Sequence, residues 1–196
     1  MLVYRGFSHV SPGATVLTIG NFDGVHLGHR ALLKRLMEAA NAEKLLPTVL
    51  TFEPHPREYF ARESAPARLS TLREKLEMIA DEGVEAAYVG HFNKRFSALS
   101  AEEFIERILV GCLRVKHLII GDDFCFGADR RGDFAMLQQS GQHFGFRVDA
   151  MGSVTLNGER ASSSAVRNAL AAGRMEHAAH LLGRSYSIDG RVVHGE

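Results

Sequence analysis

The stretch Thr18-Ile19-Gly20-Asn21-Phe22-Asp23-Gly24-Val25-His26-Leu27-Gly28-His29-Arg30 joins an apolar run to a helical pattern. Three glycines and two histidines crowd the seam between them. A strand, a glycine-rich turn and a helix N-terminus together make an anion site, because free N–H groups and the positive end of the helix point at one spot. Gly20 and Gly24 are expected to bring backbone close to a ligand, and Gly28 to leave room between His26 and His29. Residues three apart share a face of a helical turn, so both histidines can address one phosphate. Three roles are open to them. They could bind a metal with Asp23, although no third strong ligand stands at good spacing. They could donate to backbone carbonyls as structural groups. They could stabilise charge on a phosphoryl group, which fits the glycine-rich setting best. Neither GxxxxGK[ST] nor GxGxxG occurs in the chain, so the nucleotide fingerprints built on those spacings do not apply.

Outward from this seam, strands alternate with helices. Ala14–Ile19, Pro47–Phe52, Ala86–Val89, Lys116–Gly121 and Phe146–Met151 read as strands. Helical patterns fill about Gly28 to Leu45, Thr71 to Ile79 with Ser70 as N-cap, Ser100 to Val110 behind a capping box, and Phe134 to Phe144. Two shorter helices, Ser163–Ala171 and Met175–Leu182, are separated by Gly173, and Asn157-Gly158 reads as a hairpin turn. This order predicts an α/β fold with a five-stranded, mostly parallel sheet covered by helices on both faces. Ligands in such sheets sit at the carboxyl ends of the strands. Gly20–Gly24, Pro54-His55-Pro56 and Gly121-Asp122-Asp123-Phe124 all fall there. The connection Pro54–Ala67 is long enough to suggest a lid or binding loop.

A second cluster, Ala161-Ser162-Ser163-Ser164-Ala165-Val166-Arg167, sets hydroxyls at a helix start with an arginine shortly after. Hydroxyls, helix N–H groups and a guanidinium suit triphosphate oxygens. Taken alone, the same residues are an ordinary N-cap and a solvated arginine. The 196 residues carry 23 basic and 23 acidic side chains, so no global field favours nucleic acid or an anionic membrane. Cys112 and Cys125 have neither metal-ligand nor disulfide-framework spacing. The first residues lack signal-peptide features, and no apolar run approaches the roughly 20 residues of a membrane span. A cytoplasmic location is expected.

The pairing of Gly20–His29 with Ser162–Arg167 resembles the nucleotidyltransferase superfamily, which carries an HxGH motif and a serine-rich, arginine-ended motif on a Rossmann-like fold. Within it, the extended motif, Phe52-Glu53-Pro54-His55-Pro56 and Gly121-Asp122-Asp123-Phe124-Cys125-Phe126-Gly127 resemble the N-terminal FMN adenylyltransferase domain of bacterial bifunctional FAD synthetases. The resemblance spans about residues 14 to 185. Ser164 stands where that family often has Thr, and Asp123 where it can have Asn.

This resemblance implies transfer of AMP from ATP to FMN, giving FAD and pyrophosphate, with Mg²⁺ arriving on ATP. It assigns Gly20, Asn21, Phe22, Asp23, Gly24, His26, His29, Ser162, Ser163, Ser164 and Arg167 to ATP. His26, His29 and Arg167 are the catalytic members. Pro54, His55, Pro56, Asp123, Phe124 and Arg130 fall to the flavin side. No nucleic-acid or membrane partner is implied. Residues 1–185 form the adenylyltransferase domain, and 186–196 resemble the start of a truncated C-terminal riboflavin kinase domain. Two other readings stay open: a nucleotidyltransferase for another acceptor (phosphopantetheine, nicotinate mononucleotide or a cytidylyl acceptor), and a non-catalytic flavin- or nucleotide-binding module.

Overall fold

Apolar residues alternate along the central strands, and this alternation builds two cores back to back. On β2 (Thr15–Ile19) Val16 faces one way and Leu17 and Ile19 the other; on β5 (Val115–Gly121) Ile119 opposes Leu118 and Ile120. A period of two with both faces apolar is the pattern of a strand covered by helices on each side. One core packs Leu33, Leu36 and Ala40 of α1 (Leu27–Glu43) and Ile79 of α3 (Leu72–Asp81) against Val16, Val49 and Ile119. The other packs Phe104, Ile105 and Leu109 with Leu137 of α6 (Phe134–Phe144) against Leu17, Leu50 and Leu118.

The computed structural model describes residues 1–156 and 158–190. The sheet is six-stranded and parallel at every pairing, in the order β1-β4-β3-β2-β5-β6. β3 is Leu46–Glu53, β4 Ala86–His91 and β6 Arg147–Met151. The sixth strand, β1 (Leu2–Arg5), pairs with β4 through Leu2↔Ala86 to Arg5↔Val89. It is absent from the five-strand expectation because it is a four-residue edge strand whose exposed side chains carry no burial pattern. The strand order turns back between β2 and β5, so their carboxyl ends open a crevice at a topological switch point.

Other departures are local. Pro54–Ala67 is not a plain loop: it holds α2 (Pro56–Phe60) and a 3₁₀ turn over Arg62–Ser64. A further short helix, α4 (Lys94–Ser97), follows β4. The expected Ser100 capping box starts α5 (Ala101–Glu103), but the helix then continues in π form over Phe104–Cys112. The N-cap of α3 is Thr71, not Ser70; Thr71 and Glu74 form the reciprocal capping box. Ser70 is drawn instead into the turn after β2. A hairpin, β7 (Thr155–Leu156) and β8 (Glu159–Arg160), leads to α7 (Ser163–Ala171) and α8 (Met175–Leu182). Asn157 of the expected hairpin turn, and 191–196 of the expected kinase-like tail, lie outside the described residues.

Candidate active site

A cleft of about 1230 Å³ opens at the switch point. Its walls come from the turns after β2, β3, β4 and β5 and from the start of α7. Gly20, Asn21, Phe22, His26, His29 and Ser162 line one part; His55, Pro56, Asp123, Phe124 and Arg130 line another. Eleven of the sequence-assigned residues therefore share one cavity. Pro54, Asp23, Gly24, Ser163, Ser164 and Arg167 are not among its lining residues.

The turn after β2 is braced rather than loose. The Asp23 carboxylate is buried and accepts from Leu69 N–H at 3.0 Å, Ser70 N–H at 3.1 Å and Ser70 Oγ at 3.3 Å. Arg167 pairs with its other oxygen and donates through Nε to the Ala67 carbonyl at 2.6 Å. A buried carboxylate with this many donors is fully satisfied, and removing its arginine would leave an uncompensated charge costing about 3–5 kcal/mol. Ser163 Oγ donates to the Asp23 carbonyl at 2.9 Å, and Gly24 N–H donates to Ser70 Oγ at 3.1 Å. Asp23, Ser163 and Arg167 thus hold the turn together.

Two of the glycines serve this packing. Gly24 has φ 78°, and a Cβ there would come within 2.9 Å of Leu69. Gly28 leaves room on two sides, for the His26 ring and for the chain entering α7. A Cβ at this position would lie 3.0 Å from the Ala161 carbonyl and 3.1 Å from His26 Nδ1. Its bareness lets the second motif sit directly against the first. The Phe22 ring is fully buried in the core under α1, with its centroid 5.0 Å from that of His29.

His26 is the N-cap of α1, and its Nδ1 accepts the His29 N–H at 3.4 Å. A ring that accepts at Nδ1 is neutral and carries its hydrogen on Nε2. The two imidazoles stack with centroids 3.7 Å apart. His29 Nδ1 is buried and has no hydrogen-bond partner among the described residues. Burial, then Arg160, Arg167 and Arg184, lowers the His26 pKa from 6.5 to about 4 against the opposing pull of Asp23. Burial, then His26 and Lys75, holds His29 well below the ordinary imidazole range. Both rings are therefore neutral donors at neutral pH and not cations.

Ser162 caps α7 by accepting Ala165 N–H at 3.1 Å, while Ser164 is exposed on the first turn. Across the cleft, His55 caps α2 by accepting Arg57 N–H at 3.1 Å, and Pro56 occupies its first turn. Burial lowers the His55 pKa. Arg68 ties α2 to the sheet, reaching Glu53 at 2.7 Å and Glu58 at 2.5 Å. Phe52, Phe60, Phe92 and Phe96 form an aromatic bank, with Phe60–Phe92 centroids 5.5 Å apart and Phe52–Phe96 5.4 Å apart. In the loop after β5, Phe124 stacks on Phe126 at 5.7 Å, and Asp129 and Arg130 both take positive φ. Asp123 accepts from Arg160 at 2.9 Å across the cleft mouth.

Sequence reading missed Arg160, Ser70, Lys75 and the aromatic bank. Arg160 adjoins the Ala161–Arg167 cluster in sequence and was the most accessible of these. Ser70 was misassigned because a hydroxyl before a helical pattern reads first as a cap. Lys75 is buried on α3 and matches no motif. The aromatics are scattered over four segments that only the fold assembles.

The profile of the FAD synthetase family matches residues 9–165. A bifunctional riboflavin kinase/FMN adenylyltransferase of Escherichia coli is 49% identical over 199 residues, an alignment covering 100% of this chain and 64% of that protein. The protein of the same name from Pseudomonas fluorescens is 50% identical over 198 residues, covering 100% of this chain and 63% of its own length. The chain thus spans less than two thirds of these relatives. A crystal structure described as a macrolide-efflux protein from Streptococcus pneumoniae superposes with a TM-score of 0.85 at 26% identity, covering 100% of this chain and 66% of that one. In the present chain no helix among the described residues is long and apolar enough to cross a membrane.

Proposed function

The chain belongs to the FAD synthetase family, and on that premise we propose that it transfers the adenylyl group of ATP to FMN, releasing pyrophosphate and forming FAD. The observation that carries this reading is the stacked, neutral His26–His29 pair at the start of α1, facing a switch-point cleft and packed against the start of α7. Neutral imidazole donors, two helix N-termini and exposed main-chain N–H groups favour an anionic ligand whose charge is spread over several phosphates.

A phosphate oxygen of FMN attacks the α-phosphorus of ATP. The bond to the β-phosphate oxygen breaks and pyrophosphate departs with the electron pair. The second pKa of a phosphate monoester is about 6, so the nucleophile is already mostly dianionic at neutral pH and needs no base. Two histidines with depressed proton affinity suit that chemistry: they donate hydrogen bonds to developing charge, and positioning supplies the rest. We assign His26 and His29 to the α-phosphate region and the backbone of Gly20–Gly24 to the nucleotide. Ser162, Ser163, Ser164 and Arg167 are assigned to the β- and γ-phosphates, with Arg167 also keeping Asp23 and the turn in place. Mg²⁺ enters as part of the MgATP substrate. Such an ion would be held mainly through phosphate oxygens, with few protein ligands.

Pro54, His55, Pro56, Asp123, Phe124 and Arg130 are assigned to FMN, together with the aromatic bank that offers flat apolar surface to an isoalloxazine. A longer protein containing these residues would join this activity to the riboflavin kinase activity in its relatives' names, making its own acceptor. A cytoplasmic setting, where ATP and FMN are available, fits this reading. No nucleic-acid or membrane partner enters it. The test is direct: the chain is incubated with FMN and MgATP, and FAD and pyrophosphate are quantified by chromatography. Equal yields of both are expected. Pyrophosphate release only with phosphopantetheine or nicotinate mononucleotide, or tight binding of ATP and FMN without turnover, overturns the proposal.

A further inference from the structure

Arg184, just past α8, reaches back to the turn that presents His26. Its Nη2 donates to the Gly24 carbonyl at 2.7 Å and its Nη1 to the Val25 carbonyl at 3.1 Å. These are consecutive carbonyls immediately before the N-cap histidine. They belong to residues in the left-handed region, Gly24 at φ 78° and Val25 at φ 36°. For a β-branched residue that conformation is an outlier, which persists only where the surroundings over-determine it. Asp23, Ser70 and Ser163 fix the first half of the turn; among the described residues Arg184 is the charged side chain that reaches its last two carbonyls.

The fork is itself anchored. Leu181 and Leu182 are buried with Leu69, Ala161 and Val166, and Leu27 and Tyr186 pack against that cluster. The chain leaving α8 lies against the first turn of α1: a Cβ on Gly183 would come within 2.5 Å of Leu27. Asp189 N–H donates to Glu74 on α3 at 3.2 Å. The same guanidinium is close enough to depress the proton affinity of His26.

We propose that Arg184 is a positioning residue of the nucleotide turn, holding the Gly24 and Val25 carbonyls so that His26 and the α1 N-terminus meet the phosphates. It stands outside residues 9–165, the span of the family profile, so the functional unit for adenylyl transfer extends at least to this arginine. This rests on the adenylyl-transfer reading above. A planar fork spans two adjacent carbonyls, whereas a lysine ammonium is a single point of donation and cannot replace it.

The experiment compares wild type, Arg184→Met and Arg184→Lys in the same chain. FAD formation gives kcat and the KM for ATP; ring-proton NMR follows the histidines against pH without substrate. Arg184→Met is expected to lower kcat at least tenfold with a smaller change in KM, and to move the His26 titration upward. Arg184→Lys keeps the charge, so its His26 titration is expected to stay near wild type while kcat remains several-fold reduced. Wild-type kcat in either folded variant overturns the proposal, as does a lowered melting temperature with kcat and the His26 titration unchanged. If Arg184→Met does not fold, the lysine variant still decides. An inactive wild type strikes at the function instead, and the NMR titration then still tests the Arg184 contact.

Discussion

The two sides of the cleft are built in opposite ways. On the side of the β2 turn, Asp23, Ser70, Ser163, Arg167 and Arg184 tie a short stretch of backbone to three other segments, and the histidines lie stacked with one ring nitrogen shut away from water. On the opposite side, α2 and the loop after β5 offer aromatic faces and an exposed Asp123–Arg160 pair. Phe60 is 68% exposed. A wall that stabilises developing charge has to be preorganised, because reorientation during the reaction would cancel its benefit. A wall that receives a flat, apolar ring can leave its contacts unmade until the ligand arrives. On the proposed function, the first wall therefore sets the rate and the second the affinity for the acceptor.

The largest expected effect tests the first half of that division. His29→Ala removes a donor from the braced wall and is expected to cut kcat for FAD formation by about 10²–10³, the scale of losing one transition-state donor. Thermal stability should change far less than activity, since the imidazole Nδ1 has no partner to lose among the described residues. Steady-state kinetics beside a melting curve decide this. A variant with wild-type kcat removes His29 from the chemistry.

The same division explains what could be read from sequence. The braced wall is written in contiguous motifs, Gly20–His29 and Ser162–Arg167, because a helix N-terminus fixes the direction of everything within a turn of it. What the sequence does not show there is partners far along the chain: Gly24 also meets Leu69, Gly28 also meets Ala161, and Ser70 serves Asp23 rather than its own helix. Helix and strand order was legible from periodicity, since both sheet faces are buried and the central strands are rich in β-branched residues. β1 escaped because an edge strand with exposed side chains leaves no such trace. The aromatic wall was legible only in part. Phe52 and Phe124 sit in motifs, but Phe60, Phe92 and Phe96 join Phe52 only once the junctions after β3 and β4 are brought side by side.

Burial of the histidines gives the braced wall a pH signature. The His26 pKa is lowered from 6.5 to about 4, by desolvation first and the arginines next. Between those values the unfolded chain takes up a proton that the folded chain refuses. Stability is therefore complete above pH 6.5 and falls as pH drops toward 4, by on the order of 3 kcal/mol for this group. His29, shifted in the same direction, adds to the loss. Melting curves at pH 7 and pH 5 should show a drop in wild type that is smaller in His26→Gln. Equal drops in both would mean that the His26 site contributes nothing to the acid sensitivity.

The smallest expected effect probes the open wall. Phe60→Ala removes an exposed ring whose neighbours are Tyr59 and Phe92. Little core is lost, so the melting temperature should stay within a degree or two, in keeping with surface substitutions of about 0.5 kcal/mol or less. If the aromatic bank receives the flavin ring, the KM for FMN should rise several-fold while kcat and the KM for ATP hold, because Phe60 lies among aromatic side chains and apart from the residues assigned to the phosphates. An aromatic face contributes about 0.5–1.5 kcal/mol beyond burial, which corresponds to a factor of roughly 2 to 12 in affinity. A fall in kcat with unchanged KM for FMN would reverse the assignment: the open wall would then be setting the rate, and the contrast between a preorganised nucleotide side and an adaptable acceptor side would fail.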